Sequence, residues 1–266
     1  MNTAIILAGG VGSRMGADRP KQFLMVQDKP IISYCFDIFQ KHEEIDNMVV
    51  VVSEQWQGFV EEYAAKYGIT KICGYAPAGK TRQHSIYNGL KCIEENAPDT
   101  DIVIVHDAAR PLVSDEIIYD CIKGATEYDG AMPVISVKDT VYQSKDGRSI
   151  GCLLKRSELF AGQAPESFKF RKYLDIHNSV SDEEIGLTAG SSEIAYRHGM
   201  EIRMVKGSER NLKITTVEDL ETFESILKGV NLFGKNESKS IKRGWKSRIL
   251  RLSYAKAQFG RGAVQG

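Results

Sequence analysis

The feature that most constrains the fold is a regular alternation of short apolar runs with longer segments of helical periodicity. Mostly apolar runs of four or five residues, suited to buried strands, occur at 4–7, 48–52, 102–105 and 131–134. Segments between them place their apolar residues at helical spacing, for example at 30–40 and 57–67. Later strands are predicted at 201–205 and 211–215, and a helix at 216–227. The alternation predicts an α/β domain with a Rossmann-like, mostly parallel sheet.

Residues 136–161 break this alternation. Their polar and apolar residues alternate on either side of Lys145-Asp146-Gly147-Arg148, a strong turn signal. This pattern predicts a β-arm that protrudes from the layered core. Such an arm often contacts another subunit.

The charge distribution separates the chain into two parts. Residues 235–266 hold nine Lys or Arg residues against one acidic residue, Glu237, although the whole chain has 35 of each sign. We therefore predict a folded domain over 1–234 and a basic tail over 235–266. The tail is expected to be solvated or to touch a membrane or an acidic partner weakly, through its cations and Trp245. The overall balance gives no indication of nucleic-acid binding.

The cysteines and the amino-terminal residues narrow the class further. Five cysteines lie far apart with no Cys-x-x-Cys pair, so neither a disulfide framework nor a zinc site is indicated. The first residues lack the pattern of a signal peptide, and no apolar run approaches the roughly 20 residues that span a bilayer. We expect a cytoplasmic enzyme.

The first predicted strand leads into a glycine-rich stretch, residues 7–16, which read LAGGVGSRMG and are followed by Pro20-Lys21-Gln22. Glycines allow main-chain N–H groups to converge on an anion, and Arg14 and Lys21 add positive charge. The spacing departs from the dinucleotide-binding fingerprint at its third glycine, and no Gly-Lys-Ser/Thr ends the stretch as a Walker A loop requires. A triphosphate loop of another kind is therefore predicted.

Six blocks together resemble a known family, the cytidylyltransferases that act on 2-C-methylerythritol 4-phosphate and on ribitol 5-phosphate. The similarity covers about residues 3–228, and its blocks lie at 7–15, 20–23, 82–85, 105–111, 138–140 and 211–215. The resemblance implies a nucleotidyltransferase that joins CTP to an alditol phosphate, releases pyrophosphate and uses Mg²⁺.

The resemblance also implies roles on the nucleotide side. Arg14, Lys21 and Lys213 would gather at the α-phosphate as the catalytic cations. The residues expected to bind CTP are Leu7, Ala8, Gly9, Gly10, Gly12, Gly79, Ser85 and Asp107. Mg²⁺ would be held mainly by the CTP phosphates, with Asp107 as an additional candidate ligand.

On the acceptor side the resemblance implies five residues: Asp107, Arg110, Thr140, Arg156 and Thr188. Arg156 would reach the acceptor phosphate in the partner's site, which implies a homodimer joined through the arm. Taken without the resemblance, the Asp107–Arg110 pair predicts only a salt bridge at a strand end.

Two departures from the family pattern fall on the acceptor side. Relatives usually carry Gln-Thr-Pro-Gln after the arm, whereas this chain has Gln163-Ala164-Pro165-Glu166. A Thr-Asp-rich segment is replaced by Thr188-Ala189-Gly190, which keeps the threonine but loses a carboxylate. We therefore expect retained cytidylyl transfer with an altered acceptor.

Several alternatives remain for the function. The leading acceptor is ribitol 5-phosphate, or another pentitol or hexitol phosphate destined for a capsular or wall polysaccharide. Methylerythritol 4-phosphate, for isoprenoid biosynthesis, is the alternative. Outside this reaction, a nucleotide-sugar pyrophosphorylase and a non-catalytic nucleotide-binding or membrane-associated scaffold are the competing hypotheses.

Overall fold

The computed structural model describes residues 1–10 and 19–229 of the chain. Its strands are β1 (Asn2–Leu7), β2 (Met25–Val26), β3 (Lys29–Pro30), β4 (Asn47–Val52), β5 (Ile72–Pro77), β6 (Ile102–Asp107), β7 (Gly130–Ser136), β8 (Tyr142–Gln143), β9 (Cys152–Leu153), β10 (Phe160–Gly162), β11 (Glu166–Lys169) and β12 (Ile202–Lys206). Its α-helices are α1 (Ile31–Lys41), α2 (Glu54–Tyr67), α3 (Arg82–Asn96), α4 (Asp115–Glu127), α5 (Phe170–Ser179), α6 (Asp182–Leu187), α7 (Ser191–Arg197) and α8 (Val217–Leu227). Short 3-10 helices occur at Lys21–Phe23 and Arg156–Glu158.

One mixed sheet organises the described residues. Its strand order is β10-β7-β11-β6-β1-β4-β5, with β12 beside β7. Strands β6, β1, β4 and β5 run parallel, and β11 inserts antiparallel between β6 and β7. The parallel strands read as continuous apolar runs because both of their faces are covered. The predicted α/β architecture with a mostly parallel sheet is confirmed.

The two faces of the sheet carry separate apolar clusters. Side chains alternate along each strand, so Ile5 and Val49 pack with α3 and α5, whereas their neighbours Ile6 and Val50 pack with α1, α2 and α4. Helices on both faces complete a three-layer core. This core holds the ends of the central strands in fixed register.

The carboxyl ends of β1 and β6 lie side by side, since Leu7 pairs with Asp107 in the parallel register. Ala8 follows on from β1, and its N–H donates to the carbonyl oxygen of Val51 on β4. Ligands of open α/β sheets bind at this edge. The fold therefore brings two of the blocks that carry the family resemblance to one place.

The segment 136–161 forms the predicted arm, of which β8 and β9 make an antiparallel hairpin. Asp146 closes its turn by accepting hydrogen bonds from the main-chain N–H groups of Arg148 and Ser149, and these hold the pKa of Asp146 below its ordinary value. Tyr142, Ile150 and Leu153 are more than half exposed. Cys152 is exposed as well, whereas Cys35, Cys92 and Cys121 are buried in the core.

The strand predicted at 211–215 is wrong, because this segment is irregular although Asn211 and Ile214 are buried. The side-chain amide of Asn211 donates to the carbonyl oxygen of Ala164 at 2.7 Å. The main-chain N–H of Ile214 donates to the carbonyl oxygen of Ala109 at 2.8 Å. Contacts to two loops thus replace a strand ladder. The helix predicted at 216–227 is confirmed as α8, and Thr216 caps it by accepting from the N–H of Asp219.

Some expectations lie outside the described residues. They are the roles of Gly12 and Arg14, the domain boundary at 234 and the behaviour of the basic tail at 235–266. Within 1–10 and 19–229, no helix combines the length and apolar character required to cross a bilayer.

Candidate active site

The described part of the glycine-rich stretch is held by one buried side chain. Gln22 donates from Nε2 to the carbonyl oxygens of Ala8, at 2.5 Å, and Gly10, at 2.9 Å. Because Gln22 lies in the 3-10 helix that Lys21 begins, this amide ties the lysine-bearing turn to the end of β1. The structure thus places the turn that carries Lys21 beside Ala8 and Gly10.

The residues expected to read the cytosine lie against the same glycines. A Cβ atom on Gly9 would come within 2.5 Å of the Cβ atom of Ala78, so only glycine allows the two loops to approach this closely. The N–H of Gly79 donates to Ser85 Oγ at 2.9 Å, and this hydroxyl donates to the carbonyl oxygen of Thr81 at 3.1 Å. Gly79 and Ser85 therefore form one unit at the start of α3, beside Gly9.

Asp107 is the centre of the charged part of the site. It ends β6, is buried, and pairs with Lys213 Nζ at 2.9 Å, Arg82 Nε at 3.2 Å and Arg110 Nε at 3.5 Å. Burial acts to raise the pKa of Asp107, but the three neighbouring cations outweigh it and hold this pKa far below its ordinary value. Asp107 is therefore a permanent anion that gathers cations at the strand edge.

Lys213 reaches this cluster because the irregular segment that carries it is firmly anchored. Arg110 donates from Nη1 to the carbonyl oxygen of Asn211 at 2.7 Å. Gln163 accepts from the N–H of Ser208 at 3.1 Å and donates back to its carbonyl oxygen at 2.9 Å. These bonds fix the loop before Lys213 without any sheet pairing.

A cleft of about 570 Å³ opens beside Asp107. It is lined by Arg82, Asp107, Arg110, Met132, Gly162, Gln163, Ala164, Glu166, Ala189, Gly190, Ser192, Glu193, Tyr196, Ile202, Met204 and Lys213. Both departures from the family pattern, Ala164 and Ala189, contribute to its wall.

Three predicted acceptor residues lie apart from the lining of this cleft. Thr188 is buried, and its hydroxyl donates to the carbonyl oxygen of Glu184 on α6 at 2.8 Å. Thr140 and Arg156 are exposed on the arm, where Arg156 Nη1 donates to the carbonyl oxygen of Lys138 at 2.8 Å. Arg156 lines a different cavity, of about 590 Å³, at the base of the arm. Their roles stay predictions.

His106, next to Asp107, is fully buried and supports the site from below. Its Nε2 atom lies 3.1 Å from the carbonyl oxygen of Arg110, to which it donates in the matching tautomer. Burial lowers the pKa of His106 to about 4, so this side chain is neutral near pH 7. It positions the turn that carries Arg110.

The donor set around Asp107 limits how Mg²⁺ could be bound. Within the described ranges no three His, Cys, Asp or Glu side chains lie close enough together to hold a metal ion. Asp107 is a single carboxylate already paired with three cations. These described residues would fit an ion that is held chiefly by phosphate oxygens, with Asp107 as a single candidate ligand among them.

Sequence reasoning missed some of the residues that build the site. Arg82 lies in the block at 82–85 without a predicted role, yet its guanidinium joins Asp107 to Glu166 on β11. Gln22 follows Lys21 in the sequence without a predicted role, although it braces the glycine stretch. The one signal for Glu166 was its departure from the family pattern. Contacts of such long sequence separation leave no local pattern.

Comparisons with known proteins identify the family that this chain resembles. The family profile described as 2-C-methyl-D-erythritol 4-phosphate cytidylyltransferase (IspD) matches residues 2–229. The enzyme of that name from Clostridium novyi (strain NT) is 39% identical over 86% of this chain and 97% of the relative. Ribitol-5-phosphate cytidylyltransferase from Streptococcus agalactiae serotype III is 35% identical over 85% of this chain and 95% of the relative.

Solved structures show the same fold. The 4-diphosphocytidyl-2C-methyl-D-erythritol synthase of Anaerococcus prevotii aligns with a TM-score of 0.74 at 23% identity, over 86% of this chain and 96% of that chain. The 2-C-methyl-D-erythritol 4-phosphate cytidylyltransferase of Francisella tularensis aligns with a TM-score of 0.69 at 26% identity, over 84% and 97%.

Relatives with either of the two names have similar sequence identities to this chain, so sequence similarity does not decide between the two acceptors. Both names describe CTP-dependent nucleotidyl transfer, which decides against a sugar-nucleotide pyrophosphorylase and against a non-catalytic scaffold. With its profile match over nearly all described residues, the chain belongs to the IspD family of cytidylyltransferases.

Proposed function

We propose that this cytidylyltransferase transfers the cytidylyl group of CTP to the phosphate of an open-chain polyol phosphate, giving a CDP-alditol and pyrophosphate. The observation that carries the proposal is the Asp107 cluster, which presents Lys213 at the strand edge beside Leu7 and the glycine stretch. A cleft with room for a small polyol adjoins the same cluster.

The reaction requires an in-line attack by an acceptor phosphate oxygen on the α-phosphorus of CTP. A new P–O bond forms as the bond from the α-phosphorus to the bridging oxygen breaks, and pyrophosphate leaves. The acceptor phosphate is an anion near pH 7, so no general base is needed. Arg14, Lys21 and Lys213 are proposed to stabilise the negative charge that builds on the α-phosphate.

Mg²⁺ is proposed to bind through the phosphates, where it would supply charge neutralisation and orientation. Asp107, the carboxylate that pairs with Lys213, is the candidate protein ligand for it. The protein's own contribution is to keep Lys213 2.9 Å from Asp107, which places the ammonium at the site before any nucleotide arrives.

The cytosine is proposed to bind at the start of α3. Gly79 cannot carry a side chain there, because a Cβ atom would come within 2.4 Å of the Cβ atom of His84. Hence the base would meet the main chain of residues 78–80 and the hydroxyl of Ser85. A fixed main-chain surface of this kind suits a small pyrimidine and leaves little room for a purine.

For the acceptor we propose ribitol 5-phosphate or a related pentitol or hexitol phosphate, used in polysaccharide biosynthesis in the cytoplasm. The departures Ala164 and Ala189, both on the cleft wall, support an acceptor held in a different way. Methylerythritol 4-phosphate is the second candidate, since the clostridial relative with that name is 39% identical.

Pyrophosphate release tests the proposal most directly. The full chain is assayed with CTP and Mg²⁺ against ribitol 5-phosphate, other pentitol and hexitol phosphates, and methylerythritol 4-phosphate. We expect turnover with at least one alditol phosphate, and much slower turnover when UTP or GTP replaces CTP. Absence of release with every acceptor would refute the proposal, and turnover with methylerythritol 4-phosphate alone would select the second candidate.

The arm is proposed to join two subunits and to bring Thr140 and Arg156 to the partner's cleft. Support comes from the exposed apolar side chains of the arm and from the position of Arg156 away from the cleft of its own chain. An apolar surface of this kind suits a second protein chain.

Mixing two inactive variants tests this exchange. Arg156→Ala chains mixed with Lys21→Ala chains should regain part of the wild-type turnover, roughly a quarter if heterodimers form at random and keep one intact site. Each variant mixed only with itself is the control. No gain on mixing, with heterodimers demonstrated by native mass spectrometry, would show that each site is built from one chain.

A further inference from the structure

The proposed reaction leaves one buried charge of the cleft without a role, the carboxylate of Glu166. This residue begins β11, is 9% exposed and lies in the cleft wall with Lys213. Burial of a carboxylate is costly unless hydrogen bonds and an opposite charge compensate for it. The surroundings of Glu166 therefore indicate what it does.

Both carboxylate oxygens of Glu166 are occupied by protein groups. Oε1 accepts from Ser191 Oγ at 2.7 Å and pairs with Arg82 Nη2 at 3.5 Å. Oε2 accepts from the main-chain nitrogen of Ser192 at 2.9 Å and from its Oγ at 2.6 Å. With this set of partners, Glu166 serves as an anchor for its neighbours. Its oxygens retain little capacity to accept a further hydrogen bond from a substrate hydroxyl.

The first structure that Glu166 anchors is a wall of the cleft. Ser191 and Ser192 open α7, and the two residues before them, Ala189 and Gly190, line the cleft. Tyr173 holds the same segment from behind, since its hydroxyl donates to the carbonyl oxygen of Ser191 at 3.1 Å. On the cleft side, Ser191 and Ser192 are bound by Glu166 and Arg82.

The second structure is the guanidinium of Arg82. Its Nη1 donates to Ser191 Oγ at 2.5 Å, and its Nε donates to Asp107 Oδ1 at 3.2 Å. A planar guanidinium bound on several sides has a fixed orientation. A continuous series of charges thus runs along one side of the cleft, from Glu166 through Arg82 and Asp107 to Lys213.

Both sequence departures meet in this arrangement. Glu166 is the acidic residue in the altered block that follows the arm, and it bonds the segment that has lost its own carboxylate. Of the two carboxylates beside Arg82, Asp107 is therefore supplied from β6 and Glu166 from β11.

We propose that Glu166 is a positioning residue for the acceptor: it fixes the wall at 189–192 and orients Arg82, so that the polyol chain binds against Asp107. The inference rests on the proposed function and extends it to a residue to which that function gave no role. It requires that loss of the carboxylate impair binding of the acceptor and leave binding of CTP unaffected.

Glu166→Gln tests this requirement. The glutamine keeps the size of the side chain but replaces one carboxylate oxygen by an NH₂ group. When its remaining oxygen faces Arg82, the NH₂ group faces Ser192 and cannot accept hydrogen bonds from it. We expect the acceptor KM to rise by roughly tenfold or more, with the CTP KM within about twofold of wild type. Hydrogen–deuterium exchange should accelerate in the peptide that contains Ser192.

Glu94→Gln is the matched control, because Glu94 also pairs with an arginine, Arg171, at 2.8 Å but lies outside the cleft. It should change neither KM nor exchange at Ser192. If Glu166→Gln fails to fold, Ser192→Ala, which removes one of the four contacts, should raise the acceptor KM by about threefold.

The outcomes separate two kinds of failure. Equal changes in both KM values, or unchanged acceptor KM with unchanged exchange, would overturn the positioning role. If wild-type protein turns over no acceptor, the proposed function fails, and the exchange at Ser192 still decides whether Glu166 anchors the wall.

Discussion

On the proposed nucleotide side of the site the described contacts involve main-chain atoms, whereas on the proposed acceptor side charged side chains from distant parts of the chain meet. Gly9, Gly79 and Ser85 lie within two loops and the first turn of a helix. The acceptor side joins Arg82, Asp107, Glu166 and Lys213, which lie on four separate segments. A main-chain surface tolerates little change, while a network of side chains changes its preference through single substitutions. Both departures from the family pattern accordingly fall on the acceptor side.

Lys213→Ala gives the largest expected effect and tests whether the two sides share one cation. The ammonium pairs with Asp107 and is proposed to contact the α-phosphate, so its loss should reduce turnover by roughly a hundredfold to a thousandfold. Pyrophosphate release measures this. Lys206→Ala, an exposed lysine outside the cleft, is the control. A Lys213→Ala enzyme with near-normal turnover would remove Lys213 from the reaction.

Ser85→Ala tests the nucleotide side alone. Its hydroxyl accepts from the N–H of Gly79, and without it this main-chain donor loses its partner. We expect the KM for CTP to rise by about tenfold and discrimination against UTP to weaken, with the acceptor KM little changed. Ser33→Ala is the matched control, since it also removes a serine hydroxyl that donates to a main-chain carbonyl oxygen, at 2.7 Å in the core. A selective effect on the acceptor KM would contradict the division between the two sides.

The smallest expected effect is a loss of folding stability at low pH, caused by the buried side chain of His177. Burial lowers the pKa of His177 to about 4 from its ordinary 6.5. Its Nε2 accepts from Gln83, which also donates to the hydroxyl of Tyr173. Between pH 6.5 and 4 the unfolded chain binds a proton at His177 and the folded chain does not, so the free energy of unfolding falls as the pH falls. At pH 5 the loss is about 1–2 kcal/mol relative to pH 7.

Urea unfolding at both pH values measures this loss. His177→Gln should reduce the difference between pH 7 and pH 5 by a similar amount. His106, whose pKa is also lowered to about 4, contributes in the same direction and stays in both proteins. An unchanged pH dependence in the variant would show that His177 does not contribute.

Most of the fold and about half of the site follow from the sequence. The apolar runs of β1, β4 and β6 are continuous because these strands are covered on both faces, and this pattern is local. The segment 211–215 was predicted incorrectly because alternating Leu212 and Ile214 resemble a strand, whereas its partners are loops. The links from Arg82 and Glu166 span up to 109 residues of sequence, and no local pattern encodes them.

The two hydrogen bonds of Gln22 have a consequence for how a polyanion is received. Main-chain oxygens carry partial negative charge, and in a loop that wraps a polyphosphate each exposed oxygen would repel the ligand. By engaging the oxygens of both Ala8 and Gly10, one neutral amide removes two such repulsive groups from the entrance. A glutamate of the same length would instead add a full negative charge at this point, so the neutrality of position 22 is itself a condition for the proposed binding of a triphosphate.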